Sequence, residues 1–72
     1  MAIAGGATVA YHYRPVGPHI VRVERTTRLR SECDSLRDAF AAVRAGKPAT
    51  VAGDDAWGMR EALTSAGWTV QP

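Results

Sequence analysis

The sequence predicts a two-layer α+β domain, an N-terminal β-hairpin and a short C-terminal strand packed against two α-helices. Three observations carry this. Apolar residues alternate with polar ones over residues 7–30, the period of strands. They then recur every three or four residues in two later segments, the period of helices. Glycine and proline punctuate the boundaries between these segments.

After a glycine-rich lead-in over residues 1–6, Val9, Tyr11 and Tyr13 share one parity, and Thr8, Ala10 and His12 the other. Pro15-Val16-Gly17-Pro18 is a turn cluster, and alternation resumes at Ile20 with Val21 and Val23 opposite Arg22 and Glu24. An antiparallel pair puts opposed residues on one face. Setting Tyr13 against Val21 and Tyr11 against Val23 gathers the large apolar groups under the helices, with a loop over Pro15 to His19. His12, Arg14, Arg22 and Glu24 then face outward.

The first helix is expected over residues 31–46. Ser31 is the expected cap, with Glu32 and Asp34 against the positive helix end. Cys33, Leu36, Phe40 and Val43 form its apolar seam. Gly46 and Pro48 end it. Ala49-Thr50-Val51-Ala52 reads as a short extended piece. A second helix is expected over residues 54–67, capped by Asp54, with Ala56, Met59, Leu63 and Ala66 as its seam. Gly67 closes it, Trp68 folds back on Leu63, and a last strand covers residues 68–71 with Trp68 and Val70 inward.

Size limits function. Seventy-two residues make one domain with a small core. One cysteine, Cys33, excludes an internal disulfide and fits a reducing compartment. No apolar run spans a bilayer, and residues 1–10 lack the basic start of a signal peptide. The expected location is the cytoplasm, or a virus assembled there, with no membrane partner.

Catalytic and metal chemistry find little support. Cys33 would need a base within reach, and it continues the apolar seam, so it reads as a small core hydrophobe. His12 and His19 lie on opposite parities without a third ligand, so no metal is expected. Asp54-Asp55 reads as a helix start rather than an acid–base pair. No phosphate loop, GxGxxG, GxSxG or HExxH is present. We therefore expect a non-enzyme without a cofactor.

Charge is unevenly placed within a net +2. Residues 1–30 carry five arginines and one glutamate, whereas residues 31–72 carry four basic and six acidic residues. Arg14, Arg22, Arg28 and Arg30 share the outer parity of the hairpin, a candidate phosphate-binding stripe. Two features count against it. Glu24 interrupts the stripe, and the tyrosines that would stack bases point to the other face. Eight arginines to one lysine, with thirteen alanines, also fit a compositional origin. Trp57 lies off the second helix's seam. It is either a contact anchor, with Arg60 beside it on the helix, or a cover for Val51 or the preceding loop.

The stretch Phe40-Ala41-Ala42-Val43-Arg44-Ala45-Gly46-Lys47-Pro48, then Val51-Ala52-Gly53-Asp54-Asp55-Ala56, then Ser65-Ala66-Gly67 and Thr69-Val70, resembles the C-terminal end of the Gfo/Idh/MocA oxidoreductases. The resemblance covers residues 36–70 and implies a shared local fold or a detached sheet segment. That family's nucleotide-binding glycine loop and catalytic lysine motif lie in parts with no counterpart here. Trp57 and Trp68 depart from its pattern, and no catalytic or cofactor residue carries over.

Three functions follow in order of support. The first is a small non-catalytic protein–protein interaction or assembly module: a subunit, a phage-type accessory protein or a regulator, acting on another protein or as a homo-oligomer. The second is a nucleic-acid binder using the arginine face. The third is an accessory segment related to the oxidoreductases.

Overall fold

The computed structural model describes residues 6–72. It shows four strands and two helices: β1 (Ala7–Gly17), β2 (Ile20–Leu29), α1 (Leu36–Arg44), β3 (Ala49–Ala52), α2 (Ala56–Ser65) and β4 (Thr69–Gln71). Single 3-10 turns, Arg30–Glu32 and Gly53–Asp55, precede α1 and α2. This is the α+β class that the two periodicities predict. Of the lead-in expected over residues 1–6, all but Gly6 lies outside the described residues.

The strands form one sheet in the order β3-β1-β2-β4. β1 is antiparallel to β2 and β3, and β4 runs parallel to β2. The first strand is therefore neither short nor at an edge. It is eleven residues long and lies inside the sheet.

The hairpin is tighter than the sequence suggested. Tyr13 pairs with Val23 and Pro15 with Val21, a slip of two residues from the expected register, with an irregularity between Pro15 and Gly17. A two-residue slip keeps every side chain on its expected face. The physical cause is the turn. Gly17 and Ile20 pair directly, leaving Pro18 and His19 as the loop. His19 has φ 57°. Proline followed by a residue of positive φ suits a tight two-residue connection.

Both helices lie on one face of the sheet. Tyr13, Val21, Ala49 and Val51 from the strands meet Ala39 and Val43 of α1 and Met59 and Leu63 of α2 in one buried cluster. The helices touch each other where Gly58 faces Leu36: a Cβ on Gly58 would sit 3.0 Å from the Leu36 side chain. The two crossovers, β2 to β3 and β3 to β4, step in opposite directions with their helices on the same face. They therefore have opposite hands, and one of them is the rare left-handed kind.

The helix boundaries differ from expectation at their starts. α1 begins at Leu36, not near residue 31, because Ser35 accepts a hydrogen bond from the Asp38 N–H at 3.1 Å and is the real cap. Ser31 lies in the preceding 3-10 turn. Cys33 consequently falls outside α1, half-buried, with its Sγ 3.6 Å from the Leu29 carbonyl. Within α1 the fully buried positions are Ala39 and Val43, while Leu36 and Phe40 are partly covered. α2 begins at Ala56, and Asp54 does not cap it. Asp54 instead reaches Arg30 at 3.6 Å, an exposed pair of small energetic weight.

The helix ends match the glycine signals. Gly46 (φ 84°) and Gly67 (φ 88°) occupy the left-handed position. At the first end, Lys47 N–H bonds the Ala42 carbonyl and Gly46 N–H the Val43 carbonyl, both at 2.9 Å. At the second, Trp68 N–H bonds Leu63 at 2.9 Å and Gly67 N–H bonds Thr64 at 3.0 Å. Both are Schellman endings, and the second turns Trp68 back over the core.

Candidate functional site

The inner sheet face and the start of α2 line an open cleft of about 270 Å3. Its floor is Tyr11, Tyr13 and Val23, with Val70 at one side. Its wall is the first turn of α2: Ala56, Trp57 and Arg60. The local sequence explains this wall. Met59 and Leu63 fix the buried stripe of α2. Trp57 precedes Met59 by two residues, and Arg60 follows Trp57 by three. They therefore share a flank of the helix, off the buried stripe and above the sheet.

Trp57 is 72% exposed, more than any other large apolar residue described. The cleft is mostly apolar and carries one cation, Arg60, and the hydroxyls of Tyr11 and Tyr13. The Tyr13 hydroxyl donates to the Ala56 carbonyl at 3.4 Å. Burial raises the Tyr13 pKa above its usual value of 10.0, against a smaller opposing effect from the Arg60 charge and a small reinforcing one from Tyr11. Tyr13 therefore stays neutral at physiological pH and ties α2 to the sheet.

The four arginines of the candidate phosphate stripe separate into three places. Arg14 and Arg22 are directly opposed on neighbouring strands and exposed. Arg28 sits six residues further along β2, where its Nη1 donates to Thr26 Oγ1 at 2.8 Å and to the Thr27 carbonyl at 2.9 Å. Arg30 lies in the 3-10 turn beside Asp54. Glu24 is exposed between the two ends, opposite His12. His12 is half-buried, with Nδ1 2.8 Å from Thr50 Oγ1. The tyrosines lie on the other face, under the helices.

A second cleft of about 420 Å3 separates the hairpin tip from the end of α1. Here the His19 and Trp68 rings stand 5.2 Å apart. His19 and Trp68 are brought together by the turn and the Schellman ending, a pairing that strand and helix periods do not show.

No group of three or more metal-ligating side chains occurs among the described residues. No helix among them is long and apolar enough to cross a membrane. Compared with known proteins, the chain matches no family model, no curated protein and no solved structure.

Proposed function

We propose that this protein is a non-catalytic interaction module whose contact centre is the Trp57–Arg60 flank of α2 and the cleft beneath it. The observation that carries the reading is Trp57 itself. An exposed tryptophan over an apolar floor, with an arginine one turn away, has the composition of an interface hot spot. Holding so large an apolar group in water is unfavourable, and a protein partner relieves it. The cleft has an apolar floor and one cation, which suits an apolar side chain flanked by a carboxylate.

Affinity capture from host lysate with wild-type protein and two variants tests this. A partner retained by wild type should be lost with Trp57→Ala and kept with Arg14→Ala/Arg22→Ala. The opposite pattern, with bound nucleic acid released steeply by salt, would replace the reading by the arginine-face one.

A further inference from the structure

The two edges of the sheet are treated differently. On the β3 side, the chain before α1 folds along the edge. Asp34 N–H bonds the Thr50 carbonyl at 2.7 Å, and Thr50 N–H bonds the Asp34 carboxylate at 3.3 Å. On the other side, β4 pairs only with Ile20, Val21 and Arg22 of β2. Beyond Val23 no strand lies beside β2 on that side, and the edge is bare among the described residues.

Which backbone groups point out of that edge follows from parity. His19 accepts from Thr69 N–H of β4 at 2.8 Å, so odd-numbered residues of β2 direct N–H and C=O away from β1. Leu29 obeys the rule and is already satisfied: its N–H goes to Glu32 Oε1 at 3.0 Å, and its carbonyl faces Cys33 Sγ. The Val23 N–H faces the Gln71 carbonyl at the end of β4, so the groups left are the Val23 carbonyl and those of Arg25 and Thr27. Of these, only the Thr27 carbonyl is covered, by the exposed side chain of Arg28.

We propose that two copies of this chain join edge to edge through β2, antiparallel about a two-fold axis at Thr26, making one sheet across both. The inference deepens the interaction reading above by naming the occupant as a second copy. Charge selects the register. Two-fold antiparallel pairing must centre on a residue, because opposed residues share edge parity. Centring on Glu24 opposes Glu24 to itself. Centring on Arg25 opposes Arg25 to itself. Centring on Thr27 draws in Leu29, whose groups are taken. Centring on Thr26 opposes Arg25 to Thr27, the residues with backbone groups to exchange. It also opposes Glu24 of each copy to Arg28 of the other, on the outer face. Arg25 N–H of the second copy then replaces Arg28 at the Thr27 carbonyl, freeing Arg28 for Glu24.

Sedimentation velocity over a dilution series tests this with full-length protein. Wild type should show a monomer–dimer equilibrium. Glu24→Arg and Arg28→Glu, each at an exposed position, should weaken association by about ten-fold or more, with a thermal melt unchanged at dilutions where wild type is monomeric. An equimolar mixture of the two variants should regain dimer, because each charge then meets its opposite across the axis. A wild type that stays monomeric throughout overturns the proposal, as does a mixture no tighter than its components. In either case, capture of a partner lost with Trp57→Ala would leave the interaction reading standing, so the two failures are separable.

Discussion

Tyr13 and Met59 show how single residues hold this small core. Met59 is fully buried between α2 and the sheet. Met59→Ala should therefore cost ~2–5 kcal/mol, a large share of a small domain's stability. Phe40, the apparent centre of the first helix's seam, is only partly covered and has the Arg44 guanidinium 5.3 Å from its ring centre. Its loss scales with the area hidden, and Phe40→Ala should cost roughly 1–2 kcal/mol. Urea melts of the two variants give the order directly. Tyr13 makes a pH prediction. Its folded pKa is raised above 10.0, so its contribution is complete below pH 10.0 and is lost as pH rises through the higher folded value. Stability should fall as pH rises from 10.0 toward that value, and Tyr13→Phe should remove part of the fall in melts run across the alkaline range.

At the scale of elements, the ends of the helices were legible and their starts were not. Gly46 and Gly67 mark their positions unambiguously because the left-handed conformation disfavours a Cβ. The starts are ambiguous because Ser31 and Ser35 are both good caps, four residues apart. Tertiary structure decides between them: Asp34 is held against Thr50, so the helix begins just after it. Ser35→Ala should cost about 0.5–2 kcal/mol and Ser31→Ala close to nothing, by chemical denaturation. The face of each hairpin residue was also legible, since a slip of two preserves it. The register was not, because both alignments bury valine against tyrosine and only the Pro18-His19 turn distinguishes them.

Across the whole molecule, strand order was the least legible feature. Two β-branched residues between two alanines, Ala49 to Ala52, say extended but do not say beside which strand. Neither does period reveal that the crossovers differ in hand. That topology leaves β1 interior, β3 sealed by Asp34, and β2 bare beyond its short pairing with β4. Trp57 was legible as a residue off its helix seam. The cleft beneath it was not, because Tyr11, Val23 and Val70 come from three different strands. Natural sheets blunt bare edges with charge, and Arg28 does so here in the single chain.

The central claim is that this protein meets another chain along the bare edge of β2 and the neighbouring cleft. Amide hydrogen exchange, resolved by residue and followed with protein concentration, tests it most directly. Glu24, Thr26 and Arg28 direct their N–H groups toward β1 and should be indifferent to concentration. Arg25 and Thr27 direct theirs outward. Their amides should exchange rapidly in dilute solution and become protected together as association proceeds, and the Glu24→Arg variant should lose that protection. Rapid exchange at Arg25 and Thr27 at every concentration, or protection that ignores the parity of β2, would contradict the account.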